Sequence, residues 1–424
     1  MHAAKNPMFR LHANPLTHSV MKMSSMTGGP RHIRRMNQEA ILQVVRSSGP
    51  VSRTFLARRL GLNPSTVNRL VEQMAETGLV TLAGEGESGR RGGRPAQLIA
   101  YNGNAATIVC LDLSNDPWRG ALVNLSGEVQ QRFSAQPTPG DADANWQTLV
   151  ELVDEMLAFH CRMDGPPLRG IGVGAPSIVL WQSGTVVWAA SLGWRDVPLK
   201  EWMTQRWDAP VFVENDVNLL ALGESWLGVG RDSQNLVVLS VGTGIGAGLI
   251  LGGRLYRGAN EAAGELGYLP PDRKTLGQNH NGYGPLEAVA AAPGLVARAK
   301  AHLRAGRASR LATVSPLQAE DIYAAARAGD ALAVELMADT ADYWSLAVAG
   351  LATVLNPEMI LIGGEMVKAA DLLLDLLRAR LAGLLPVMPR LEPVHLGDDG
   401  VLLGAAALVL TNTSVEIAGM RIGV

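Results

Sequence analysis

Residues 52–69 carry the side chains needed to read base pairs. Ser52, Arg53, Asn63, Ser65, Thr66, Asn68 and Arg69 place hydroxyls, amides and guanidinium groups in one short stretch. Such groups hydrogen-bond to base edges in a major groove, where a good bidentate contact is worth about 1–3 kcal/mol of discrimination. A second set follows in Arg90-Arg91-Gly92-Gly93-Arg94-Pro95. Arginines on a flexible, glycine-rich strip suit a narrow, electronegative minor groove, so Arg90, Arg91 and Arg94 join the candidate DNA contacts.

Three helices must position these groups. Residues 31–48 predict the first, with Ile33, Met36, Ala40, Ile41, Val44 and Val45 at helical spacing and Gly49-Pro50 ending it. Ser52 caps a second through Leu60, with an apolar face of Phe55, Leu56 and Leu60, and Gly61 breaks it. Asn63 caps a third, with Pro64 at the position that tolerates proline best. There Val67, Leu70, Val71 and Met74 face inward, and Gly78 stops the helix. This is the spacing of a helix-turn-helix. Residues 79–82 and 97–100 predict two strands of a wing around the arginine strip. A small helical domain with a solvated charged loop would share the helices, but not the charge. Residues 1–100 hold 14 Lys and Arg against 5 Asp and Glu, the remainder 23 against 34, within a total of −2. A basic head on an acidic body meets a polyanion through the head alone.

With 424 residues, 47% hydrophobic and 18% charged, the chain has material for two to three domains and is not wholesale disordered. Its two cysteines, Cys110 and Cys161, exclude a disulfide framework and a cysteine-cluster zinc site, and fit a reducing cytoplasm. No apolar run is long enough to span a membrane, and no signal peptide is predicted. The expected division is a tail over 1–30, a winged head over 31–100, one lobe over 101–230 and a second over 231–424. The second lobe carries a dimerisation surface, and its last segment packs back on the first.

Beyond residue 101 the pattern is α/β. Strands are predicted over 107–113, 120–125, 168–174, 211–213, 236–241, 248–251 and 359–362, with helices over 146–160 and after Asp216 through Leu227, and a long alanine-rich helix late in the chain. Two successive sets of strands and helices imply two lobes with a cleft between them.

Several segments then fall in a familiar order: Glu214-Asn215-Asp216, Gly242-Thr243-Gly244-Ile245-Gly246-Ala247-Gly248, Tyr256-Arg257-Gly258-Ala259-Asn260, Ala263-Gly264-Glu265-Leu266-Gly267 and Gly363-Gly364. With residues 191–199 and the late Gly404-Ala405-Ala406 they resemble the ROK family (repressors, open reading frames, sugar kinases) over about residues 31–410. The resemblance implies an actin-like ATPase fold behind the winged helix-turn-helix, which only the repressor branch carries. It implies a sugar or sugar-derivative ligand held by Asn215, Asp216, Glu265, Tyr268 and Glu287, with Asp216 in the place of the kinase base. Partners would be a palindromic double-stranded DNA operator and a second copy, as a homodimer or homotetramer.

Three departures from the family pattern shape the functional expectation. The first-hairpin loop, Asp112 to Arg119, has no glycine and carries Pro117, which lacks an N–H, and bulky Trp118, so a phosphate cradle is not expected. Tyr268 stands in the place of a family histidine, and residues 277–284 contain no cysteine, so no zinc or other cofactor is expected; His280 reads as a loop residue. Ser191 replaces a frequent asparagine. The expected function is regulation, by repression in carbohydrate metabolism, without catalysis. A sugar kinase with an appended head, or a regulator without an effector, are the alternatives. Trp188, Trp194, Trp202 and Trp207 read as core and lid packing in preference to sugar stacking, and Cys110 as inert.

Overall fold

The structure is a computed structural model that describes residues 30–86, 95–278, 284–417 and 420–423. The head holds α1 (Pro30–Ser48), β1 (Val51–Ser52), α2 (Arg53–Leu60), α3 (Pro64–Glu76), β2 (Val80–Glu85) and β3 (Gln97–Tyr101). The Ser52 hydroxyl accepts the Phe55 N–H at 3.1 Å and starts α2. Asn63 Oδ1 does the same for α3, accepting the Ser65 N–H at 3.0 Å, and Pro64 at the first position loses no helical bond. Val67, Leu70, Val71 and Met74 form the inner face of α3, with Ile41, Val45, Leu56 and Ile99 opposite.

Two head residues differ from expectation. Phe55 is 43% exposed and Ile33 45% exposed. At a turn of 3.6 residues, burying Leu56 and Ala57 rotates Phe55 outward, and Leu42 with Gln38 takes the inner positions of α1. The wing is three-stranded in the order β1-β3-β2, because Val51 pairs with Ile99.

The body begins with β4 (Thr107–Asp112), β5 (Trp118–Asn124), β6 (Val129–Ala135), α4 (Ala142–Arg162) and β7 (Leu168–Ala175). A flap of β8 (Val179–Leu180), β9 (Thr185–Ala189) and β10 (Trp194–Val197) precedes α5 (Leu199–Arg206), β11 (Val211–Asn215) and α6 (Asp216–Trp226). The second lobe has β12 (Leu236–Val241), β13 (Ile245–Leu251), β14 (Arg254–Leu255), α7 (Glu287–Ala290), α8 (Ala292–Arg304), α9 (Ala319–Arg327), α10 (Ala331–Leu355), β15 (Met359–Gly363), α11 (Ala370–Leu381), β16 (Arg390–Pro393) and α12 (Gly400–Asn412). The sheets run β6-β5-β4-β7-β11 and β14-β13-β12-β15-β16. Both repeat one plan: three consecutive antiparallel strands, then two parallel strands added on the other side of the first.

The last helix returns to the first lobe. A Cβ at Gly404 would lie 1.8 Å from the Leu219 carbonyl oxygen, and one at Gly223 would lie 2.3 Å from that of Gly400. Glycine on both helices therefore lets α12 and α6 meet at backbone distance. Arg46 of α1 lies over the rings of Tyr101 (5.3 Å) and Trp226 (5.6 Å), fastening the head to the end of α6. No helix among the described residues is long and apolar enough to cross a membrane.

Candidate functional site

On the head, Ser65, Asn68 and Arg69 are exposed along α3, while Thr66 is half-buried. Asn63 is engaged locally, since its Oδ1 also accepts the Ser65 hydroxyl at 2.9 Å; Ser52 is likewise engaged as a cap. An open cleft of about 340 Å³ runs between α2 and α3, lined by Arg53, Thr54, Ala57, Arg58, Leu62, Pro64 and Asn68. Thr54 and Arg58 extend the sequence-derived set. They share a face with Arg53 one turn apart on α2, a periodicity readable once Ser52 is fixed as the cap. Arg90, Arg91 and Arg94 lie outside the described residues.

In the body, the parallel strands β4, β7 and β11 end together. Asp112 pairs with Gly174, and Gly174 with Glu214, so Asp112 and the residues after Glu214 share the carboxyl edge of the sheet. This is where open α/β sheets hold ligands. Burial and the facing Asp112 carboxylate push Asp216 up to about 7. Burial also raises Asp112, against hydrogen bonds from its own loop. Its Oδ1 accepts the Ser114 N–H (3.0 Å) and hydroxyl (2.5 Å), and its Oδ2 accepts Asn115 Nδ2 (2.6 Å).

Asn215 is more committed than the sequence suggests. Nδ2 donates to the Ser177 carbonyl (3.1 Å) and to Asp216 Oδ1 (3.0 Å), and Oδ1 caps α6 through the Asn218 N–H (3.0 Å). Both amide protons are used, so Asn215 orients Asp216. Glu214, only 1% exposed, stands in the sequence as part of the Glu214-Asn215-Asp216 motif but not among the candidate ligand contacts. Its carboxylate accepts Arg257 Nε at 2.7 Å, the Asn215 N–H at 2.9 Å and Asn218 Nδ2 at 3.0 Å. Arg257 comes from the segment after β14 and stacks on Trp181 at 4.2 Å. One ion pair thus joins the two lobes beneath Asp216.

The second lobe presents Glu265. A Cβ at Gly264 would lie 1.8 Å from the Ala247 carbonyl oxygen, and φ there is +91°, so only glycine brings Glu265 this close to β13. Among the described residues the Glu265 carboxylate has no hydrogen-bond partner, and burial with the nearby Glu287 carboxylate raises its pKa. Glu287 is spent on the backbone. Its oxygens accept the N–H groups of Ile245 and Gly284, both at 2.9 Å, which ties the glycine turn after β12 to the start of α7. Tyr268 is 60% exposed.

The family description "ROK family" matches residues 108–412. The chain belongs to the ROK family. Its head matches the "MarR family" description over residues 37–91. The xylose repressor of Caldicellulosiruptor bescii is 29% identical over 90% of this chain and 96% of its own length. The glucokinase of Halalkalibacterium halodurans is 32% identical, over 71% of this chain and 94% of its own. A solved ROK family transcriptional regulator, a homologue of the Escherichia coli Mlc protein, superposes with a TM-score of 0.79 and 28% identity, covering 89% of this chain and 96% of that one.

Two ROK features take a different form here. A zinc of the family kind does not fit the donors among the described residues: Tyr268 offers an exposed phenol, and both cysteines lie in the first lobe, Cys110 buried in β4 and Cys161 exposed on α4. Burial pushes the Cys110 thiol up, which keeps it inert. Residues 279–283, His280 among them, lie outside the described residues. Trp118 does not crowd the first-hairpin loop as its size suggests. It is fully buried and packs 6.4 Å from Trp194, because β5 turns it toward the core.

Asp216 also has a stability signature. Its folded pKa, about 7, lies above the ordinary 3.8. The folded state therefore holds an extra proton between these values, and stability falls as pH rises through that window, levelling above it. Asp216→Asn is expected to remove this slope, so the rise in Tm over the native chain should be larger near pH 8 than near pH 5. Equal shifts at both would contradict a neutral Asp216.

Proposed function

We infer that this ROK protein is a sequence-specific DNA-binding transcriptional regulator, a repressor of carbohydrate-metabolism genes, and that its body binds a sugar or sugar derivative without transferring phosphate. One observation carries the reading: a capped recognition helix with Ser65, Asn68 and Arg69 exposed is fused to a ROK body, and the xylose repressor aligns over 90% of this chain while the glucokinase aligns over 71%. We place the division at about residues 30, 100 and 230; the contacts of α12 with α6 and β7 support its return to the first lobe. The working form is a cytoplasmic homodimer or homotetramer, because one protomer carries one recognition helix and a palindromic operator needs two.

Asp216, oriented by Asn215, and Glu265, which has no hydrogen-bond partner among the described residues, are the groups assigned to sugar hydroxyls, while Glu287 is spent on the Ile245 and Gly284 amides. A ligand bound between the lobes alters DNA binding only if its affinity differs between two lobe arrangements. Against phosphoryl transfer stands the first-hairpin loop. Asp112 spends both oxygens on Ser114 and Asn115 where a kinase needs a carboxylate for metal.

The test is a fluorescence-anisotropy titration at fixed salt on the DNA upstream of the protein's own gene, repeated with xylose and with hexoses. Tight binding to a palindrome in that DNA, weakened by one of the sugars, is expected. Equal affinity for a scrambled duplex would refute the regulator reading. In parallel, a coupled assay should find no hexose-dependent ADP release; steady turnover would establish the kinase instead.

A further inference from the structure

The tryptophans at 188–207 divide in the structure. Trp194 and Trp207 are buried at 1% and 7% exposure, and Trp202 packs edge-on against Trp146 at 5.2 Å. Trp188 is different. It is 54% exposed, and the ring contact it makes is with Arg195, whose guanidinium lies 4.0 Å from the ring centroid across the β9–β10 ladder. A single exposed aromatic means little by itself; its position gives it meaning. The backbone N–H of Trp188 donates to Ser177 Oγ at 2.9 Å, and the Ser177 carbonyl accepts Asn215 Nδ2 at 3.1 Å. Ser177 follows the end of β7, on the sheet edge that carries Asp112 and Asp216. The backbone of Trp188 is therefore anchored, through Ser177, two hydrogen bonds from the residue that orients Asp216.

The chemistry of the pair selects a ligand. Arg195 covers one face of the indole and fixes the ring, leaving the opposite face open. That apolar face suits the C–H face of a pyranose, while the guanidinium N–H groups beside it suit the ring's hydroxyl rim. A nucleic-acid base would also stack, but the surrounding body is acidic, with 34 Asp and Glu against 23 Lys and Arg after residue 100. We propose that Trp188, backed by Arg195, stacks a second sugar ring, so that the effector is a disaccharide whose first ring is held at Asp216 and Glu265. This rests on the reading of that cleft as the effector site.

Calorimetric titration of the full chain tests it, with xylose against xylobiose and glucose against cellobiose and maltose. One disaccharide is expected to bind about tenfold or more tightly than its own monosaccharide, the scale of an aromatic contact. Trp188→Ala should erase that gain and leave monosaccharide affinity unchanged, and Trp188→Phe should restore most of it. A monosaccharide that binds as tightly as its disaccharides overturns the second-ring proposal and leaves the effector site standing, as does an equal loss for both ligands in Trp188→Ala. Binding of none of the five sugars overturns the effector-site reading, and this proposal with it. Because Trp188 is largely exposed, its variants should melt with the native chain, and Arg195→Gln gives a second, partial loss confined to the disaccharide.

Discussion

Arg257→Ala is expected to destabilise the body by about 3–5 kcal/mol, the cost of leaving a buried charge without its partner. The carboxylate left behind is Glu214, 1% exposed, which would keep its bonds from the Asn215 N–H and Asn218 Nδ2 but lose the 2.7 Å contact with Arg257. The loss extends further, because the guanidinium also lies 4.2 Å from Trp181, which stacks in turn on Phe212 at 6.3 Å. Arg257→Lys should recover only part of the stability, since an ammonium keeps the charge but loses the planar stack. Glu214→Gln combined with Arg257→Ala should be more stable than Arg257→Ala alone, because the orphaned charge is gone. Urea titration at neutral pH measures all four proteins. Operator affinity at low temperature should survive in Arg257→Ala, since the head does not use this pair, while any sugar response should fall because Asn215 and Asp216 follow Glu214 directly in the chain. An Arg257→Ala protein as stable as the native one would mean that solvent reaches Glu214 and that the lobes are not joined there.

Local rules explain what the sequence made legible. Ser52, Gly61, Asn63 and Pro64 are punctuation with a single mechanical meaning each, so the helices of the head fall where their caps place them. Strand β1 was not readable, because its two residues become a strand only by pairing with Leu98 and Ile99, a partnership that no local pattern encodes. The same limit applies to the cleft. Motif order brought Asn215, Asp216, Glu265 and Glu287 to notice, but their division of labour depends on what each polar atom meets. Asn215 and Glu287 are consumed by the Ser177 carbonyl, Asp216 and the Ile245 and Gly284 amides, and this leaves Asp216 and Glu265 to face a ligand. The sequence marked Glu214 only as part of a motif and Glu224 not at all, although a signal existed: each acid follows an apolar stretch, Val211-Phe212-Val213 and Leu219-Leu220-Ala221-Leu222-Gly223, and a buried acid in a folded chain demands a partner. Glu224 finds three, the amides of His395 (2.7 Å), Leu396 (2.9 Å) and Val229 (3.2 Å), and so secures α6 to the second lobe.

Asn68→Ala with Arg69→Ala is expected to weaken binding to the specific operator by about 2–6 kcal/mol, taking about 1–3 kcal/mol for each base contact. Both side chains are exposed on α3, on the face opposite the buried Val67, Leu70 and Val71, so their removal leaves the core of the head intact and the melting temperature unchanged. The pattern of loss separates their role from that of their neighbours. If they read bases, affinity for a scrambled duplex should hardly change with Asn68→Ala, and the operator-to-scrambled ratio should collapse in the double variant. Arg53→Ala and Arg58→Ala, which line the cleft between α2 and α3, should instead weaken both duplexes alike and flatten the salt dependence by about one unit of slope each, the behaviour of phosphate contacts. Asn63→Ala gives a third outcome, because its side chain caps the recognition helix: losing that cap costs about 1 kcal/mol of stability, lowering the melting temperature together with operator affinity. A double variant that keeps the native ratio would show that α3 is not the reading element, and the recognition surface would then have to be sought on the wing.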